Sequence, residues 1–276
     1  MREVTWPLRG LTFTGLEWGE RAGTPTVLLH GYLDHAGSWS KVAAGLDGWR
    51  TALDMRGHGR SPHVTQGETY HFPEYLADLD ALAALLGVPL HLVGHSMGGT
   101  IATMYAGARP ERVRSVVSVD GLGLHDSGNE AADRLIAFLD GTANEPVNKV
   151  FPDVATAARR LRHSNAQIDE AWALELAERT TRPTEGGVTW TWDARHRIRG
   201  AIPYRQSNHQ QLLRRVTCPV LSVHPEHSPF MASDVAALES TITNLHTVTI
   251  AGAGHMVHLD APLELSAAIR DFLRGG

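Results

Sequence analysis

The chain has a single cysteine, Cys218, in 276 residues, which excludes an intramolecular disulfide. It sits in "VTCPVLSV", an apolar strand-like run, and is expected to be a small buried hydrophobe rather than a reactive thiol. No apolar run is long enough to cross a bilayer, and the opening "MREVTWPLRG" lacks the apolar stretch of a secretory leader. A cytoplasmic protein with no membrane partner is therefore expected. Excess positive charge is also missing. A net charge of −5 provides no basic face for nucleic acid. Sixteen histidines are present, with close pairs at His91/His95, His224/His227 and His255/His258. None of these pairs falls on a helix beside a carboxylate, as zinc motifs of this spacing require. No metal and no cofactor are expected.

A composition of 42% hydrophobic and 20% charged residues is that of a globular chain able to bury a large core. Strand-like material appears at 8–19, 26–29, 50–54 and 89–94, again at 112–120, and finally in "CPVLSV" and "LHTVTI". Between these runs, 36–46, 73–86 and 97–108 suit helices, and "PLELSAAIRDFL" closes the chain as another. Strands alternating with helices predict an α/β fold with a mostly parallel central sheet covered on both faces. The apolar runs are continuous rather than alternating, as in strands buried on both sides. After Asp120 the rhythm breaks. Residues 121–212 hold helical stretches near 130–139, 154–162 and 167–180, with no clear run of buried strand formers. The expected organisation is a core of 1–120 and 213–276, interrupted by a helical cap at 121–212.

The chemistry concentrates where one strand stops and a helix starts. Gly94-His95-Ser96-Met97-Gly98 matches G-x-S-x-G in that context, the arrangement that lifts a serine hydroxyl above a sheet edge. Small neighbours are needed because the turn is tight, and the helix start aims N–H groups and positive dipole at the same place. A serine hydroxyl is a weak nucleophile until a base takes its proton. The candidate base is His255 in "AGAGHMVHLDAP", a Gly-rich loop between the last strand and the last helix. His258 is expected to be a structural or rim residue.

With "LLHGYLDHAGSW", "LDMRGHGRS", "VGHSMGG" and "GAGHMVHLDAP" in this order, the chain resembles the α/β-hydrolase superfamily over roughly two-thirds of its length. The resemblance implies an oxyanion hole from the backbone N–H groups of Tyr32 and Met97, and a scaffold role for His30 and the 54–61 loop. It also implies an acid partner for the base, usually an aspartate in a G-x-x-D turn after the strand that follows the insertion. Here that segment reads "VLSVHPEHSPF". Pro225 takes the glycine place and Ser228 the aspartate place, and a serine cannot carry the charge. Some members of the superfamily put the acid after the preceding core strand, which here ends at Asp120. The phrase "VDGLG" also resembles a capped, serine-hydrolase-like subgroup. Asp120 is the favoured acid and Glu226 the alternative.

Within the cap, "GVTWTWDARHR" alternates Trp190 and Trp192 with threonines. The two indoles either pin the cap to the core or wall an acyl pocket. Phe138, Phe151 and Tyr204 are further candidates of that kind, and Arg195 and Arg197 are candidates for meeting a carboxylate or a phosphate-bearing carrier. The expected activity is hydrolysis of a small ester or thioester, free or carrier-bound, through an acyl-enzyme on Ser96. The alternatives are acyl transfer to an alcohol or amine, C–C bond hydrolysis or lyase chemistry, and an inactive ligand-binding protein.

Overall fold

The computed structural model describes residues 1–123, 131–165, 167–228 and 232–275. The chain before the insertion forms β1 (Arg2–Leu8), β2 (Leu11–Trp18), β3 (Thr26–Leu29), α1 (Ser40–Ala44), β4 (Arg50–Leu53), α2 (Phe72–Leu86), β5 (Leu90–His95), α3 (Met97–Ala108) and β6 (Val113–Val119). The strand-like stretch at 8–19 is in fact the second arm of a hairpin. Arg9 and Gly10 both take positive φ, 52° and 78°, as the tightest hairpin turns require. The segment at 36–46 is a short 3-10 turn followed by one turn of α-helix.

The insertion carries α4 (Ala131–Ala143), β7 (Val150–Phe151), α5 (Val154–Ser164), α6 (Glu170–Thr180), β8 (Thr181–Thr184), β9 (Gly187–Trp190) and α7 (Gln206–Leu213). The helices fall near the expected places. The three-stranded antiparallel sheet β7-β9-β8 was not expected. Its strands are two to four residues long, one contains Pro183, and the hairpin turns through Gly186 and Gly187 at positive φ. Too little of it is apolar for a strand pattern to show. α7 lies inside the 121–212 span yet packs on core helix α3. A Cβ at Gly107 would meet Leu212 O at 2.2 Å, so the two helices touch backbone to backbone.

The chain then returns to the core as β10 (Val220–His227), α8 (Ala232–Glu239), β11 (Leu245–Gly254), α9 (Val257–Asp260) and α10 (Pro262–Gly275). Among the described residues the main sheet has the order β1-β2-β4-β3-β5-β6-β10-β11. It is parallel from β4 onward and antiparallel at the β1–β2 and β2–β4 pairs. β3, β5 and β6 are buried almost throughout, which is why their runs are continuously apolar. One face packs under α2 and α3 through Leu79, Leu82, Ile101 and Tyr105. The other packs under α1 and α10 through Trp39, Val42, Leu265 and Ile269. Full burial of one such side chain is worth about 1.5–3 kcal/mol. Phe151, Trp172, Leu176 and Trp190 form a third cluster, which reaches the core at Leu259.

Buried histidines set the pH response of this fold. Burial holds His35 and His209 down at about 4 and His196 at about 3, and depresses His30, His58 and His95 as well. Below the ordinary histidine value of 6.5 the unfolded chain takes up protons that the folded chain refuses, so stability falls with pH until the folded values are reached. Each such imidazole contributes up to about 1.4 kcal/mol per pH unit in its window. His224 works in the opposite sense, because Glu239 raises it. The expected outcome is a clear drop in the urea unfolding midpoint between about pH 6.5 and about pH 4, with uptake of more than one proton. An unchanged midpoint over that range would contradict this account.

Candidate active site

Ser96 stands between β5 and α3 with φ 50° and ψ −117°, a backbone conformation that costs on the order of 1–3 kcal/mol outside glycine. Its surroundings fix it there. Ser96 N donates to Val119 O at 3.0 Å, and Ser96 O accepts from Gly99 N at 2.9 Å and Thr100 N at 3.1 Å. A Cβ at Gly94 would lie 2.2 Å from Gly98 O, and one at Gly98 would lie 2.3 Å from Leu29 O. The turn therefore closes only with glycine at both places. The hydroxyl is left half-buried at the C-terminal edge of the sheet, where open α/β folds bind their ligands.

His255 follows β11 and lies on the same edge. Its Nε2 is 3.1 Å from Ser96 Oγ and its Nδ1 is 2.7 Å from Asp120 Oδ2. A carboxylate only accepts hydrogen bonds, so Nδ1 carries the proton and Nε2 is left as acceptor for the serine hydroxyl. Asp120 terminates β6 with φ 42°, and its N–H donates to Val223 O at 2.9 Å. Ser228 Oγ donates to the second carboxylate oxygen, Oδ1, at 2.8 Å. Ser96, His255 and Asp120, dispersed in the sequence, thus form one continuous hydrogen-bond chain.

Glu226 is not part of it. β10 continues through His227, so Glu226 sits in a strand rather than in the expected loop. Its exposed carboxylate accepts from Gly252 N at 2.7 Å.

The loop after β3 passes beside Ser96. A Cβ at Gly31 would lie 2.9 Å from His95 Nδ1 and 3.3 Å from Ser96 Cβ, which places the Tyr32 backbone next to the serine. Met97 is the first residue of α3, where helical N–H groups have no partner within the helix. His30 and the 54–61 loop brace this region. Met55 N donates to His30 Nε2 at 2.9 Å, Leu33 N to His58 Nε2 at 3.1 Å and Ala36 N to Asp54 Oδ1 at 2.7 Å.

Two further supports carried no sequence signal of their own. His95, fully buried, donates from Nε2 to the carbonyl of His255 at 2.7 Å and so steadies the base from behind. His258 is buried rather than at the rim. Its ring lies tilted against His95 with centroids 4.4 Å apart and pairs with Asp34 Oδ2 at 3.1 Å, and this imidazole contact, despite the cost of burial, holds the Asp34 carboxyl far below the usual range. Asp34, His95 and His258 are grouped closely enough to suggest a cation site. The carboxylate–imidazole pair is spent on itself, however, and His95 Nε2 on the His255 carbonyl.

A cavity of about 270 Å³ opens between the core loops and the insertion, lined among others by Tyr32, Leu161, Trp190, Trp192, Met256 and Leu259. Tyr32, in the loop after β3, and Met256, the residue after His255, bring it up to the Ser96 region. Both indoles therefore face the pocket, while Trp190 also pins the cap cluster. The other aromatic candidates do not line it. Phe151 is buried edge-to-face against Trp190 with centroids 4.9 Å apart. Phe138 is half-buried on α4, which contributes no residue to the cavity wall. Tyr204 bonds His209 Nδ1 at 2.9 Å beside α3. Arg195 is consumed by Asp193 and the Val64 and Thr65 carbonyls, whereas Arg197 lies over the Trp192 ring. The Tyr32 hydroxyl donates to His196 O at 3.0 Å, tying the loop after β3 to the insertion.

Known proteins with this arrangement are similar over nearly the whole chain. The family described as alpha/beta hydrolase fold matches residues 24–262. A serine hydrolase-like protein of Danio rerio is 30% identical over 99% of this chain and 88% of its own length. Serine hydrolase-like protein 2 of Homo sapiens is 24% identical over 93% and 89%. Among solved structures, the thioesterase domain from the curacin biosynthetic pathway superposes with a TM-score of 0.89 at 32% identity, covering 98% of this chain and 99% of that one. These likenesses support hydrolase activity. Among the described residues no helix is long and apolar enough to cross a membrane. Fold, motif order and relatives agree: the chain belongs to the α/β-hydrolase family.

Proposed function

We propose that the protein is a serine hydrolase acting on a small ester or thioester through an acyl-enzyme on Ser96. The observation that carries this reading is the unbroken chain Ser96 Oγ–His255–Asp120, with contacts of 3.1 and 2.7 Å. Ser96 Oγ attacks the substrate carbonyl carbon as His255 Nε2 takes the hydroxyl proton. Asp120 holds the imidazole in the Nδ1–H tautomer and stabilises the imidazolium that forms. Negative charge on the carbonyl oxygen is met by the amides of Tyr32 and Met97, and one such donor is worth about 2.7–4 kcal/mol in the transition state. His255 then gives its proton to the leaving alcohol or thiol. A water activated by the same imidazole attacks the acyl carbonyl and releases the acid. The indoles of Trp190 and Trp192 favour an apolar acyl group in the cavity, and the resemblance to a thioesterase domain favours a thioester leaving group.

A fluorophosphonate probe is expected to label Ser96 stoichiometrically, and Ser96→Ala to abolish both labelling and turnover of short-chain p-nitrophenyl esters. Folded protein that resists the probe would overturn the reading. Asp120→Asn is expected to lower kcat by up to ~10⁴-fold, while Glu226→Gln leaves it within about twofold, because its carboxylate serves only a surface turn. The reverse pattern in steady-state kinetics would reassign the acid. Trp192→Ala is expected to raise KM for long-chain esters more than for acetate esters, by a few-fold per lost apolar contact, about 1–3 kcal/mol in all.

A further inference from the structure

The acid is held at both ends by a strand that does not carry it. Asp120 N–H donates to Val223 O in β10, and Asp120 Oδ1 accepts from Ser228 Oγ at 2.8 Å, just past the end of the same strand. Register explains the second contact. His227 on β10 pairs with Gly254 on β11, so the next residue on each strand, Ser228 and His255, emerge side by side at the sheet edge. The carboxylate of Asp120 reaches across from β6 into the space between them, giving Oδ2 to the imidazole and Oδ1 to the hydroxyl. Without a second donor, an Asp at φ 42° with one free oxygen could turn about its Cβ–Cγ bond and trade oxygens at the imidazole. A fixed donor removes that freedom and sets the plane of the carboxylate.

We infer that Ser228 is a positioning residue for the acid. The inference rests on the Ser96–His255–Asp120 reading above, and on the second carboxylate oxygen of Asp120 accepting the Ser228 hydroxyl.

The test compares kcat, KM and the rate of fluorophosphonate labelling for the wild type, Ser228→Ala and Ser228→Thr, with thermal unfolding measured on each. Ser228→Ala is expected to lower kcat and the labelling rate about tenfold, equivalent to about 1.4 kcal/mol, with KM within about twofold and the unfolding midpoint retained. Ser228→Thr keeps the hydroxyl and is expected to keep kcat. Wild-type labelling at Ser96 together with an unchanged kcat in Ser228→Ala would overturn the positioning role and leave the serine-hydrolase reading standing. A wild type that does not label would fail the reading itself, a separate result.

Discussion

The backbone of Ser96 is the constraint from which the rest of the site follows. Its φ of 50° puts the side chain where a strand residue could not, above the sheet edge. Holding it there requires Gly94 and Gly98 to pass their neighbours without Cβ atoms, and Val119 O to receive the Ser96 N–H. The same bond ties β5 to β6 one residue before Asp120. The turn that strains Ser96 thus also sets its distance to Asp120. His255 arrives from a third strand end, and the parallel order β5-β6-β10-β11 brings all three to one rim. The local cost of about 1–3 kcal/mol is small beside what the sheet buries on its two faces.

Much of this was legible in the sequence wherever the signal was local. Ser96 lies inside a five-residue motif bounded by a strand and a helix, and His255 lies in a glycine-rich loop with little else to do. Asp120 was readable because it is the last residue of an apolar run, so its place at the sheet edge follows from where that run ends. Glu226 was misplaced because β10 does not stop where its apolar run stops. The strand continues through Pro225, Glu226 and His227 on pairing with β11 alone, which hydropathy does not register. The Arg9-Gly10 turn was absorbed into one strand for a related reason, since a two-residue reversal leaves almost no gap in the pattern.

The insertion was legible in outline but not in geometry. Trp190 and Trp192 reach the pocket, yet Phe138, Phe151 and Tyr204 do not, and no spacing distinguishes the two groups. What separates them is long-range: α5, α6 and β9 lean over the core loops, and α4 does not. The histidines behaved similarly. His58 and His196, 138 positions apart in number, stack at 4.0 Å, and His95 meets both His255 and His258. Burial disfavours the charged form of His58, His95 and His196, and each spends a ring nitrogen on backbone or neighbour. Such rings position their surroundings through donors and acceptors rather than through charge.

Gly121, the first residue after the acid, is wedged against the nucleophile's own peptide, where a Cβ would come within 2.3 Å of Ser96 O. The point of departure for the ninety-odd residues of the insertion is therefore anchored to the core, and its return along α7 is anchored to α3. Between those two moorings the insertion is tied in again, where the Tyr32 hydroxyl meets the His196 carbonyl, Asp193 N–H donates to Gly57 O and the His58 and His196 rings stack. A change in the intervening sequence is therefore transmitted to the loops beside Ser96.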